Sequence, residues 1–411
     1  MEILLPSPIS CQDWPQQVEY LAKEAPTAPF DPLLLDFVHT VSLRIMNSKK
    51  IRKQPELIAL AYWMRKSHVY QIMQEYRQYY RHSTPLPRGV VLHIVPTNVD
   101  SIFMYSWLLA LLTGNANIVR LSSRSQVQLQ PLLELLNDLL LDERFAPIRN
   151  RNIILSYGHE DEITKILSSY CQVRVIWGGD QTISHIRSIP LPPAAVEIPF
   201  ADKFSWCALQ AEKILAAPAD EYTQLLEQFF NDAFWFNQNA CSSPRLIAWV
   251  GDDPTIYAAK QRFWDGLKVI IEKKQVMQDS ASRINRMVCG YRLAAQGIAN
   301  SISSESADHP YRVHIREITP ELRQQHPGNG VFWETEVNKL VDLLPFVSYR
   351  DQTLSVYGFS QQELCNFAAR SQGRCFTRIV PIGQSLTFHY IWDGINLLTA
   401  FSRELTLPSI S

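Results

Sequence analysis

Along the first 85 residues the apolar side chains follow a helical rhythm. Ile58, Tyr62, Val69, Ile72, Tyr76 and Tyr79 recur at steps of three, four and seven, which places them on one helix face and predicts core packing. Thr84-Pro85-Leu86-Pro87 ends that pattern, because proline lacks an amide hydrogen and restrains the residue before it.

From Gly89 the rhythm changes. Val90 to Val95 is a short β-branched run, followed by a helix-like stretch from Asp100 to Leu112. Strands are predicted again at Asn117 to Leu121, Asn152 to Ser156 and Val173 to Trp177, each followed by helical sequence, including Val127 to Leu141. Strands that are apolar throughout and alternate with helices predict a parallel sheet covered on both faces. Such a domain binds nucleotides beyond the carboxyl ends of its strands. After the proline-rich stretch Pro190 to Pro199, a second unit begins near Phe204-Ser205-Trp206. It carries a helix around Glu221 to Ala233, a strand at Leu246 to Val250 and a helix from Pro254 to about Lys274. Short strands are expected at Phe332 to Glu336, Leu354 to Tyr357 and Arg378 to Pro381, and Tyr390 to Leu407 can return to the first domain. The fold class is therefore α/β, divided into a helical segment (1–85), a domain of nucleotide-binding style (86–203), a second unit (204–385) and a C-terminal segment (386–411).

Composition narrows the function. With 46% apolar and 19% charged residues and a net charge of -1, the chain reads as an ordinary globular protein without the basic field that attracts nucleic acid. Its clearest positive cluster is Arg44, Lys49, Lys50, Arg52 and Lys53, read as a solvated connection between helices, with a docking patch for an anionic cofactor or acidic partner as the sharper reading. Met1 to Pro6 lacks a basic leader and a long apolar core, and Ile102 to Leu112 is too short to span a bilayer, so a cytoplasmic protein without an integral membrane segment is expected. Seven scattered cysteines, an odd number, fit reduced thiols, and neither C-x-x-C nor H-E-x-x-H is present, so no metal is expected.

Three segments carry candidate chemistry. Neither G-x-G-x-x-G nor a Walker motif occurs, and the G-x-S-x-G elbow of serine hydrolases is absent. In Asn237-Gln238-Asn239-Ala240-Cys241-Ser242-Ser243-Pro244-Arg245, a cysteine sits among small polar residues ahead of a strand, where substrate can reach an intrinsically nucleophilic thiolate. Cys207, Cys289 and Cys375 read as inert packing. Val95-Pro96-Thr97-Asn98 ends the first strand of the sheet, and the Asn98 amide can face a developing oxyanion or can simply form a turn. Trp177-Gly178-Gly179-Asp180 follows another strand, with glycines that permit close approach of a ligand or a helix.

In order and rough spacing these segments resemble the aldehyde dehydrogenase superfamily. Gly114 through Ser123 matches its glycine-asparagine segment, Trp177 through Asp180 its F-T-G-S turn, and Asn237 through Cys241 its G-Q-x-C segment. Gly89 to Ile94 with Pro96-x-Asn98, Gly114-Asn115-Ala116-Asn117, Cys241 to Arg245 and Trp392-Asp393-Gly394 look like the acyl-CoA reductase branch, typified by the LuxC-type fatty acid reductase of bacterial luminescence. The likeness covers about Pro87 to the C-terminus and implies an aldehyde dehydrogenase-like fold: a parallel-sheet nucleotide-binding domain plus a second α/β catalytic domain. It implies Cys241 as nucleophile, Asn98 in the oxyanion site, and a cofactor held by Pro96, Thr97, Arg120, Ser122, Ser123, Gly178, Gly179 and Asp180. Glu197 stands near the place of the family's general base but outside any L-E-L-G-G motif, and Phe332-Trp333-Glu334 is a loose counterpart of E-x-F-G-P. Thr97 replaces the family tryptophan and Arg120 the lysine. Ser123 brings no carboxylate to repel a 2′-phosphate, so the resemblance favours NADPH, with Arg120 and Arg124 as its partners.

The resulting expectation is NADPH-dependent reduction of an acyl thioester, acyl-CoA first, to an aldehyde through an acyl-cysteine. A homo-oligomer and an acyl-activating synthetase partner are implied. An oxidative aldehyde dehydrogenase, a cysteine acyltransferase or thioesterase without nicotinamide, and a catalytically silent scaffold stay open as alternatives.

Overall fold

Seven strands in the first part of the chain, β1 (Glu2–Leu5), β2 (Thr84–Pro87), β3 (Val90–Ile94), β4 (Ala116–Leu121), β5 (Asn152–Ser156), β6 (Val173–Trp177) and β7 (Val196–Phe200), build the first of two units in the computed structural model. Residues 1–6, 13–95, 102–122, 126–306, 308–374 and 376–407 are described. The first unit comprises Met1–Ala201 and Phe388–Ser411, and the second Asp202–Thr387. All of these strands but β2 form one sheet in the order β1-β5-β4-β3-β6-β7, parallel except for β1. Every residue of β3, β5 and β6 is buried, as is every residue of the helix Phe103–Leu112, with His93, Ser106, Asn152, Ser156 and Arg174 as buried polar exceptions in otherwise apolar runs. The strand order reverses between β3 and β6, and the crevice beyond their carboxyl ends is where an open α/β sheet takes a ligand.

The polar residues of Gly114-Asn115-Ala116-Asn117 serve the core of this unit. Asn115 is fully buried, donates to the Ala110 and Phe401 carbonyls and accepts from the Gly89 amide. Asn117 lies between His93 Nε2 at 3.2 Å and Asn152 Oδ1 at 3.0 Å. Gly114 has φ +83, and a Cβ there would collide with the Thr27 carbonyl. The Asn115 bond to Phe401 also ties down the end of the chain, where Ser402–Leu405 pairs antiparallel with β2. Asp393-Gly394, both at positive φ, make the two-residue turn between Ile391–Trp392 and Ile395–Asn396.

Several readings change. The first 85 residues are mostly helical, but Glu2–Leu5 is an edge strand paired with β5. The supposed single stripe is split: Pro55–Trp63 and Lys66–Tyr79 are separate helices, broken where Arg65 is extended (φ -63, ψ 148). Val69, Ile72 and Tyr76 are buried, but Tyr62 (58% exposed) and Tyr79 (62%) face solvent. Of the basic cluster, Arg44, Lys49, Lys50 and Arg52 are exposed around a short connection, where Lys50 meets Glu134 at 3.6 Å in an ion pair worth little in water. Within the proline-rich stretch, Val196–Phe200 is strand β7, and Pro199 is tolerated because the strand is an edge.

In the second unit, β8 (Phe204–Gln210), β9 (Pro244–Val250), β10 (Ala299–Ser303), β11 (Tyr311–Ile315), β12 (Val331–Val337), β13 (Asp351–Tyr357) and β14 (Arg378–Pro381) form a sheet ordered β10-β11-β12-β9-β8-β13-β14. Only the β10–β11 pairing is antiparallel. Alternate residues of β8 enter two cores: Trp206 and Ala208 pack with Trp333 and Val313, and Cys207 and Leu209 with Trp249 and Phe263. Because both faces are covered, β8 has no alternating pattern to announce it. The polar edge strand β10 and the helix Ser280–Ala295 lie in the region of weak periodicity beyond Ser280. Among the described residues, no helix is long and apolar enough to cross a membrane.

Candidate active site

The helix Ala219–Phe234 runs out into a tight turn, in which Asn237 (φ 49) and Gln238 (φ 59) are both left-handed. Two such residues in succession are costly for side chains with a Cβ, and asparagine tolerates the region best. Hydrogen bonds hold them there. Gln238, fully buried, donates from Nε2 to the carbonyls of Val331 (2.8 Å) and Pro244 (3.0 Å) and accepts the Gly330 amide (2.8 Å). Asn237 meets Asn329 through both side chain and backbone. The facing Gly328-Asn329-Gly330 is itself left-handed throughout. The chain therefore reaches Cys241 through a fixed turn, not through a mobile loop tip.

Cys241 is partly exposed at the end of that turn, just ahead of β9. Its carbonyl accepts the Ser205 hydroxyl at 2.6 Å. Arg245, at the start of β9, reaches back to the Gln238 carbonyl with Nε (3.4 Å) and Nη2 (3.2 Å), and to the Lys203 carbonyl with Nη1 (3.4 Å). His326 packs on Trp333 and Phe204, with ring centroids 4.6 and 5.8 Å away. Burial and the neighbouring Arg245 hold the His326 pKa well below that of ordinary histidine, so the ring is neutral. The other thiols differ: burial pushes Cys171 up to about 12 and raises Cys207 and Cys289, which keeps them protonated and inert. Cys375 lies outside the described residues.

At the carboxyl end of the first unit's sheet, Arg120 closes β4 and donates from Nη2 to the Tyr157 and Gly158 carbonyls, with its guanidinium 5.1 Å from the Tyr157 ring centre. Ser122, just beyond, is buried. Gly178 follows β6, and its amide donates to the Phe200 carbonyl. A Cβ on Gly178 would lie 3.2 Å from the Thr182 side chain, so helix packing alone accounts for that glycine. Gly179 caps the helix Asp180–Arg187, and Asp180 complements the positive helix start. These residues share one end of one sheet. Pro96, Thr97, Asn98 and Ser123 lie outside the described residues.

Glu197 is a correction. It lies on edge strand β7, where its Oε2 accepts Nε of Arg174 at 2.9 Å and pairs with Arg174 Nη2, while Oε1 pairs with Arg187 Nε at 2.9 Å. With Arg174 only 1% exposed, this carboxylate balances a buried cation. Glu334 is also structural, because its Oε1 accepts the indole N–H groups of Trp249 and Trp264, both at 2.9 Å. Among the described residues no three His, Cys, Asp or Glu side chains gather as a metal site. Sequence reasoning missed Ser205, Asn329 and His326, which come from distant strands and loops. It quoted Arg245 without giving it a role.

A parallel-sheet domain joined to a second α/β unit with an accessible cysteine ahead of a strand is the aldehyde dehydrogenase fold. Aldehyde dehydrogenase 21 from Physcomitrella patens is similar at a TM-score of 0.68 and 10% identity, over 98% of this chain and 92% of that one. Aldehyde dehydrogenase C from Pseudomonas syringae, solved as a mutant with NAD+ and octanal, is similar at 0.67 and 11%, over 96% and 88%. Residues 68–404 match the family model for acyl-CoA reductase (LuxC), and the chain belongs to that family. It is 24% identical over 308 residues to a long-chain acyl-protein thioester reductase of Vibrio harveyi, covering 74% of this chain and 60% of that protein. It is 22% identical over 274 residues to the protein of that name from Aliivibrio fischeri, covering 66% and 54%. The chain thus spans little more than half the length of these relatives.

Proposed function

We propose that the protein reduces an acyl thioester to an aldehyde through an acyl group carried on Cys241. The observation that carries the reading is the thiol itself: partly exposed, and presented by a turn fixed at Gln238 and Arg245. The Cys241 thiolate attacks the thioester carbonyl, the developing oxyanion is held by the Asn98 amide and a backbone N–H near Cys241, and the donor leaves as its thiol. Family membership and the relatives' names support thioester reduction, with acyl-CoA or an acyl-protein as donor. When bound, NADPH would supply the hydride chemistry that takes the acyl-cysteine to aldehyde and free thiol.

The first unit's residues fit such a cofactor. Arg120 can offer its guanidinium to a phosphate oxygen, and the strand ends around Ser122, Gly178, Gly179 and Asp180 form the crevice that open sheets use. Pro96, Thr97 and Ser123 complete the set, and Ser123 adds no competing carboxylate. Glu197 takes no catalytic part in this proposal, because two arginines hold its carboxylate. Without an assigned base to activate water, reduction is favoured over hydrolytic release. A homo-oligomer, a synthetase that supplies the acyl group, and a cytoplasmic location complete the proposal.

The test is incubation with a long-chain acyl-CoA and NADPH, following loss of nicotinamide absorbance and appearance of aldehyde. Equal molar amounts are expected. Consumption of acyl-CoA with release of fatty acid and no oxidation of NADPH would replace the reading with a thioesterase.

A further inference from the structure

We infer that Arg245 is the positive charge that holds Cys241 as a thiolate, a positioning residue for the nucleophile; the inference rests on Cys241 being that nucleophile. The guanidinium spans the turn: Nε and Nη2 lie on the Gln238 carbonyl, three residues ahead of Cys241, and Nη1 lies on the Lys203 carbonyl. Both acceptors of these three bonds are neutral backbone oxygens, and no ion pair within 4 Å is described for Arg245. These bonds tie its charge in place beside the turn. A buried cation of this kind favours an anion nearby, and the thiol presented by the same turn can become one. Burial lowers the Arg245 pKa, and the Cys241 charge acts on it in the opposite, favourable sense. Ionisation needs only loss of the S–H proton to solvent through the partly exposed side of Cys241.

Other titratable and charged groups surround the turn. His326, on the loop before β12, is neutral, so it adds a dipole and no charge. Asp351, at the start of β13, is matched by Arg323 at 2.9 Å, and Arg350 precedes it. Lys203 turns its amine to the Tyr349 carbonyl at 2.8 Å. Asp202, exposed, is the acid that offsets Arg245. The same guanidinium also fixes Gln238, so a purely structural role must be separated from an electrostatic one.

The experiment measures the alkylation rate of Cys241 by iodoacetamide against pH, read on the Cys241 peptide by mass spectrometry, with exposed Cys365 as the internal reference. The wild-type midpoint should lie at least about one pH unit below the ~8.5 of an ordinary thiol. Arg245→Gln should raise it by about 1–2 pH units, as expected for losing an opposite charge at close range. Arg245→Lys, which keeps the charge, should stay near wild type, and Asp202→Asn should lower the midpoint further. A wild-type midpoint at or above ~8.5, or an Arg245→Gln midpoint that does not move, overturns the inference. If Arg245→Gln does not fold, Asp202→Asn decides: a midpoint that falls supports the role, and one that stays or rises overturns it. Alkylation needs neither acyl thioester nor nicotinamide. A low, Arg245-dependent midpoint without acyl loading would sink the reductase reading and leave standing only the charge effect of Arg245 on the Cys241 thiol.

Discussion

Replacing Glu197 with glutamine tests whether this carboxylate is a base or a counter-ion. Arg174 is 1% exposed and Glu197 15%, and Arg174 also gives Nη1 to the Ser168 hydroxyl (3.1 Å) and the Ile189 carbonyl (3.0 Å). Glu197→Gln leaves one acceptor for the guanidinium but removes the negative charge that balances it. Breaking a buried pair costs about 3–5 kcal/mol, and the retained amide oxygen puts this variant near the lower end, about 3 kcal/mol. Arg187 is 60% exposed, so its contribution is roughly 0–1 kcal/mol, and Arg187→Ala should barely register. For a unit of about 200 residues, with ~2–4 °C per kcal/mol, the melting temperature of the first unit should fall by roughly 6–12 °C. The assay combines thermal melting with amide hydrogen exchange on β6 and β7, which should lose protection first. Turnover per folded molecule, measured well below the melt, should stay within about twofold, because a residue that only stabilises the fold leaves the barrier intact. A variant that melts like wild type and loses turnover refutes the counter-ion argument and restores Glu197 as a base.

Three further outcomes are expected. Cys241→Ser should abolish turnover while leaving melting and NADPH binding intact, and intact-mass analysis with acyl-CoA alone should show one acyl adduct on wild type, at Cys241; an adduct on another cysteine rejects the assignment. Arg120→Ala should raise the Michaelis constant for NADPH far more than that for NADH, and equal effects would remove Arg120 from 2′-phosphate recognition. His93 is buried and its pKa is pushed down to about 4 from 6.5, chiefly by burial, so the unfolded chain takes up its proton first as pH falls. The stability from keeping His93 neutral is present above pH 6.5 and is lost progressively down to about 4, roughly 3 kcal/mol in all. Denaturant midpoints between pH 7 and 4.5 should therefore fall more steeply for wild type than for His93→Gln, and parallel slopes would exclude His93.

Legibility followed burial. The strands Asn152–Ser156 and Val173–Trp177, the helix before Cys241 and the strand after it were visible, because local runs of apolar side chains that a sheet or helix must cover are written directly in the chain. β8 was not visible, although it is as buried as its neighbours, because no local pattern announces it and its partners lie far along the chain. β7 was hidden by its Pro199 and the prolines ahead of it; an edge strand accepts such a proline and a central strand would not.

The same division runs through the candidate site. By itself the sequence determined the α/β class and the family resemblance, and it singled out Cys241 among seven cysteines as the candidate, since composition, periodicity and a short motif are local properties. Only the tertiary structure decided what the neighbouring residues do. Gln238 and Asn237 became anchors because β12 and its preceding loop, some 90 residues away, bring the Asn329, Gly330 and Val331 groups against them. Asn115 and Asn117 became core ties, not ligand contacts, because Phe401 and Asn152 fold against them. Glu197 became a counter-ion because β6 sets Arg174 beside it in register. A polar or charged side chain acquires its role from the partner that meets it, and pairing across strands and loops is fixed by three-dimensional packing, which no local pattern encodes.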